Sequence, residues 1–167
     1  TGGAPTDVPG PGATEVQFLQ PRPMEDGRVL ALLKPFQGSE QGGDPVAIDT
    51  TTYVENTQAD LPHAGSPGPA QLRLSVNDVR TDPGLSPGGR YSSVFPLRDG
   101  TGRLLTTWTM CRLNDAAGRT LPCTPTNLAD ATLTPAPPLY GVWLFDPRDQ
   151  TQRPILQPDG STGSTSC

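Results

Sequence analysis

The stretch YGVWLFDPRDQTQRPILQ, Tyr140 to Gln157, decides how the chain is read. Side chains alternate across a strand, so Tyr140, Val142 and Leu144 face one way while Trp143 and Phe145 face the other. Both faces are apolar, and a strand of that kind has to be covered on both sides. Asp146-Pro147 ends it, because proline has no N–H to give to the ladder. The short RDQTQ turn sends the chain back as an outermost strand, where Pro154 is tolerated because an edge needs fewer ladder bonds. The segment reads as the outer half of a four-stranded unit stacked between neighbours.

Two strands before it complete that unit. SPGGRYSSVFPLRDGTGR supplies Arg90 to Leu97, and Asp99-Gly100 marks a hairpin into Arg103 to Leu113. With Leu139 to Asp146 and Gln152 to Gln157 they make an antiparallel meander, the strand plan of one propeller blade. The same order occurs earlier. EVQFLQ alternates as a half-buried strand ended by Pro21 and Pro23, DGRVLALLKPF turns at Asp26-Gly27 into the apolar run Val29 to Leu33, and DPVAIDT follows a Gly-rich break. DGRVLALL aligns with TGRLLTTW and GDPVAIDT with YGVWLFDP, an internal repeat with two visible copies.

The expected organisation is an extended leader or linker over 1–14, a first blade-like unit with a long loop over 15–80, a second over 81–160, and a flexible tail over 161–167. The expected fold class is all-β: about two antiparallel four-stranded propeller-type blades, a partial propeller, with long Pro/Gly-rich loops. Thr51 to Arg80, centred on ENTQADLPHAGSPGPAQ, is too long for an ordinary connection, so it wraps the surface or docks a partner.

Composition agrees. With 21 Pro, 19 Gly and 33% hydrophobic content in 167 residues, little material remains for long helices or a deep core. The formal charge of −5 and a pI near 4.7 argue against the cationic face that nucleic acid requires, and the basic residues are almost all Arg, with Lys34 the only lysine, a skew that reflects genome composition more often than chemistry. No apolar run approaches the roughly 18 to 20 residues of a bilayer span. The chain begins at Thr1 without a signal peptide, which fits a processed precursor or a segment of something longer.

Three cysteines, Cys111, Cys123 and Cys167, make an odd count. In CRLNDAAGRTLPC, Asp115 to Gly118 suits a three-residue hairpin loop closed by glycine in the left-handed region. That register sets Asp115 opposite Arg119 and Cys111 opposite Cys123. Facing residues in such a ribbon lie about 4.5 to 5.5 Å apart at Cα, within disulfide range. A Cys111–Cys123 bridge therefore competes with a reading as two free thiols, and it implies a periplasmic or extracellular setting. Cys167 is then unpaired or pairs outside the chain.

The SPGGR turn, the strand pair after it and the YGVWLFDP…QRPIL close together resemble the WD-like repeats of TolB-type β-propellers. More narrowly, NDVRTDPGLSPGGRYSSVFPLRDGTGRLLTTWTMCRL resembles bacterial proteins related to the propeller-bearing middle domain of the hydrazine synthase alpha subunit. The resemblance covers roughly Gly27 to Gln157, and it departs from the pattern at Gly88, where those repeats carry a turn aspartate. A closed propeller takes at least about four blades, so the resemblance implies a portion of a larger protein or a sheet completed by other chains.

Catalytic chemistry is sparse. His63, the only histidine, lies in the proline-rich LPHAGSPGP, where AGSPG lacks the first glycine of a nucleophile elbow. No Cys-x-x-Cys-His attaches haem, no Asp-x-Asp-x-Asp-Gly loop binds calcium, and no phosphate-binding glycine loop is present. Asp82, Asp99 and Asp146 sit beside Gly or Pro, and with Asp78 and Asp149 they read as turn formers. No catalytic, cofactor or metal residue is assigned. Trp108, Tyr140, Trp143 and Phe145 are assigned to packing between blades. The expected function is a non-catalytic scaffold or protein-interaction segment of a periplasmic or extracellular assembly, whose partners are other protein chains or the rest of a larger polypeptide. The alternatives are a structural domain of a multi-haem redox enzyme related to hydrazine synthase, and a carbohydrate- or calcium-dependent adhesive β-domain.

Overall fold

The computed structural model describes residues 16–36, 42–82 and 84–156, so the expectations for the leader, the tail and Cys167 lie outside the described residues. The first sheet is an antiparallel meander. Strand β1 (Val16–Pro23) pairs with β2 (Val29–Pro35), β2 with β3 (Asp44–Ile48), and the chain then makes an excursion through a hairpin, β4 (Tyr53–Glu55) and β5 (Gln58–Ala59). It returns as β6 (Gln71–Arg73) beside β3.

The second sheet repeats the plan. Strands β7 (Arg90–Pro96) and β8 (Leu104–Thr109) are neighbours. An insertion follows, made of β9 (Arg112–Asn114), β10 (Thr120–Pro122), the one-turn helix α1 (Pro125–Leu128) and β11 (Thr134–Pro135). Strands β12 (Gly141–Asp146) and β13 (Thr151–Leu156) then close the sheet in the order β13-β12-β8-β7. The protein is mostly β, in antiparallel sheets of which none is closed.

Three expectations change. Pro21 does not end the first strand, because a bulge between Leu19 and Arg22 absorbs it and β1 runs on to Pro23. The expected strand Arg103 to Leu113 is two: β8 stops at Thr109, and β9 joins a separate three-stranded sheet with β10 and β11. The long loop Thr51 to Arg80 holds the β4–β5 hairpin, a 3-10 turn at Leu61–His63, and β6 as the fourth strand of the first sheet.

The insertion follows the expected register. Asn114 faces Thr120 and Pro122 faces Arg112, Asp115 N–H donates to Arg119 O at 3.0 Å, and Gly118 takes φ +79° to close the loop. Cys111 and Cys123 are joined by a disulfide, with their Cα atoms 5.5 Å apart.

The two main sheets pack through one apolar cluster. Leu30, Leu32 and Ala47 of the first meet Tyr91, Val94, Leu104 and Phe145 of the second, all at 0–1% exposure. Strand β7 crosses the first sheet, and the groups on its free edge are taken up there. Tyr91 exchanges both backbone hydrogen bonds with Gly43, at 2.8 and 3.0 Å, while Gln20 Nε2 donates to Ser92 O at 3.1 Å and Arg22 Nε to Val94 O at 3.2 Å. The β1 bulge lies at this contact: Gln20 sits in the left-handed region at φ +53°, and Gln20 and Arg22, on either side of Pro21, both reach β7. An edge that otherwise invites strand pairing is thereby satisfied within the chain.

Candidate functional site

Cross-strand register sorts the second sheet into two faces. Pro96, Leu104, Phe145 and Gln152 stand in one row, and Val94, Thr106, Trp143 and Pro154 in the next, all toward the first sheet. The rings assigned from the sequence gather here. Trp108 and Trp143 meet edge to face at 5.4 Å, and Phe145 is 1% exposed. Gly141 lies opposite Trp108, whose indole Nε1–H donates to Gly88 O at 3.1 Å. Tyr140 is half-buried just before β12.

The centre of the ring cluster is Tyr91, which sequence reasoning did not single out. The ring is 0% exposed, 6.4 Å from Trp108 and 6.0 Å from Phe145. Its hydroxyl accepts from Asn77 Nδ2 at 3.4 Å and lies 3.4 Å from Ser75 Oγ and 3.3 Å from Gln152 Oε1. Burial raises its pKa, so it stays a neutral phenol.

The SPGGR turn is a buried polar knot. Ser86 Oγ donates to Gly89 O at 2.6 Å and accepts from Arg80 N–H at 2.9 Å, while Arg90, 3% exposed, donates to the carbonyls of Arg80, Asp82 and Gly84. Arg80 in turn pairs with Asp82, whose carboxyl it holds below the ordinary value. Gly88 has no room for a side chain, since a Cβ there would meet the Asp78 backbone at 2.6 Å. Gly89, at φ +76°, has no room for one against Thr109 O. This knot shapes the approach to β7 and satisfies its own polar groups.

Asp44 is the most unusual titratable group. It is fully buried, receives Arg73 Nε at 2.5 Å on one oxygen, and has no hydrogen bond on the other among the described residues. Burial raises its pKa to about 6 against the opposing pull of Arg73. At 0% exposure it touches no solvent, so it acts as an internal charge.

The remaining candidates are structural. His63 Nδ1 lies 2.6 Å from Asp60 Oδ1, and the same carboxylate caps the 3-10 turn by accepting from His63 N–H. Asp82, Asp99, Asp146 and Asp149 each accept the backbone N–H two residues on, so they are turn formers; Asp78 accepts Gly88 N–H through its carbonyl. Arg148 draws Asp146 down to about 2. Among the described residues, no three His, Cys, Asp or Glu converge on a metal position, and no helix is long and apolar enough to cross a membrane.

What is left is the opposite face of the second sheet. One row runs Phe95, Leu105, Leu144, Arg153 across all four strands, and the next includes Val142 and Leu156. Phe95 is 46% and Leu156 66% exposed. The Arg22 guanidinium lies 4.9 Å over the Phe95 ring, so the first row is bracketed by a cation at each end. Sequence alternation pointed to Val142 and Leu144 but not to Phe95 or the bracketing arginines, which only the register brings into line. Comparison with known proteins gives no match: no family model, no curated protein and no solved structure is similar to the chain.

Proposed function

We propose that the chain is a non-catalytic assembly module, two blade-type units of a larger β-propeller-like architecture, working through protein contacts in a periplasmic or extracellular compartment. The observation that carries this reading is the outer face of the second sheet, where exposed Phe95 and half-buried Leu105 and Leu144 share one row and half-buried Val142 stands in the next. Contiguous apolar side chains that still reach solvent on a sheet face support an interaction site. Support for the blade assignment is the shared four-strand meander order of the two sheets. The Cys111–Cys123 bridge supports an oxidising compartment.

The test is the mass of the native particle by sedimentation, together with identification of what co-purifies. A particle larger than the single chain is expected, with contacts on the second sheet by cross-linking. A native chain that sediments alone and carries no other protein would sink the reading.

A further inference from the structure

The excursion between β3 and β6 carries two further exposed aliphatic side chains. Leu61 is 93% and Val54 67% exposed, which is unusual for branched aliphatics on an ordered segment. The segment is firmly braced. Asp60 N–H donates to Thr52 O at 2.9 Å, Ala70 N–H to Asn56 O at 2.7 Å, Gln71 N–H to Asn56 Oδ1 at 3.1 Å, and Tyr53 Oη to Pro67 O at 2.5 Å. Leu61 itself sits on a turn capped by Asp60 and stiffened by Pro62. A rigid arm presenting bare leucine and valine loses little entropy on docking.

The arm and the open face are complementary. The Glu55 carboxylate, next to Val54, is exposed and has no side-chain hydrogen bond or ion pair among the described residues, and the same is true of the Arg153 guanidinium at the end of the face row. In the sequence, Val8 is the only Val, Leu, Ile, Met or aromatic residue in 1–15, 37–41 and 157–167. Resting on the assembly reading above, we infer that the face Phe95-Leu105-Leu144 of one molecule receives the Val54–Leu61 arm of a second copy, with Glu55 of the arm paired to a bracketing arginine. The contact is heterologous, so each molecule has one donor and one acceptor surface and copies add head to tail.

Sedimentation velocity of the full chain from about 1 to 100 μM, a range suited to an interface of modest size, tests this. Self-association that grows with concentration is expected. Leu61→Asp and Phe95→Asp, both at exposed positions, each abolish it. Mixing the two variants restores a dimer and nothing larger, because one supplies an intact face and the other an intact arm. Glu55→Arg and Arg153→Glu each weaken association about 10-fold, and the double reversal recovers it. A chain that stays monomeric throughout overturns the inference. So does loss with Phe95→Asp but not with Leu61→Asp, which means the faces pair with each other, and so does failure of the mixed variants to form a dimer. In each case the assembly reading is decided separately by the mass of the native particle.

Discussion

Strand β2 of the first sheet and strand β12 of the second carry the same kind of sequence, apolar on both faces, and they end in different surroundings. In β2, Leu30 and Leu32 face the second sheet while Ala31 and Leu33 face the other way, and all four are at most 1% exposed. In β12, Phe145 is 1% exposed, yet Val142 and Leu144 on the reverse face are only half-buried. A two-faced apolar pattern therefore says that a strand needs two covers. It does not say that its own chain supplies both.

The sharpest way to break the comparison is to remove adjacent side chains. Phe145→Ala is expected to cost about 3–5 kcal/mol through cavity formation, and Leu144→Ala about 1 kcal/mol or less in dilute solution. In β2 the asymmetry disappears: Leu32→Ala and Leu33→Ala each cost about 2–5 kcal/mol. Urea unfolding at low protein concentration measures all four. Equal costs for Leu144→Ala and Phe145→Ala would mean that the open face is already covered within the monomer.

Asp44 adds an electrostatic contrast between a buried carboxyl and those on exposed turns. Its folded pKa of about 6 lies above the ordinary 3.8, so the folded state holds the proton more tightly. The stability that protonation lends is fully present below about pH 3.8 and lost as pH rises through 6, a change of about 3 kcal/mol. Asp49 and Asp146 on exposed turns, at about 2, work the other way: what they contribute is present above pH 3.8 and lost as pH falls toward 2. Melting temperatures from pH 3.5 to 7 are expected to fall with rising pH in the native chain and to stay flat in Asp44→Asn. A slope that persists in the variant assigns the effect to another group.

What was legible in the sequence had a local cause. The second meander and the Cys111–Cys123 register follow from period-2 alternation and from turn residues that fix loop length, Asp99-Gly100 and Asp115 to Gly118. Features that depend on distant partners were not legible. Asp44 and Arg73 lie 29 residues apart, and nothing near either announces a pair. Tyr91 follows SPGGR as one aromatic among alternating residues, and its central place comes from β7 crossing the first sheet. Strand β6 is three residues in a Pro/Gly-rich stretch, too short for periodicity to register. The break after Thr109 was missed because Met110 and Cys111 continue the apolar run while the backbone leaves the sheet.

Reduction of Cys111–Cys123 is the next smaller effect. Closing a short loop contributes about 2–3 kcal/mol by chain entropy. The bridge lies in the separate β9–β10–β11 sheet, so the loss is expected to be local. Under reducing conditions, amide exchange rises in β9 and β10 before it rises in β12. Simultaneous loss of protection in β12 would show that the insertion supports the second sheet.

The smallest expected effect concerns Gln150, which joins the sheets at the end remote from the β1 bulge. It sits at φ +60°, yet its Nε2 donates to Leu74 O at 3.0 Å and its Oε1 accepts from Val76 N–H at 3.0 Å. The strain and the bridge oppose each other, and two substitutions separate them. Gln150→Ala keeps the strain and loses the bridge, at about 1–2 kcal/mol. Gln150→Gly loses the bridge but relaxes the backbone, so its cost is about 1 kcal/mol smaller. If glycine proves more stable than the native residue, strain outweighs the bridge, and the two sheets are held together by the Tyr91–Phe145 cluster and the closed edge of β7 without help from the β12–β13 turn.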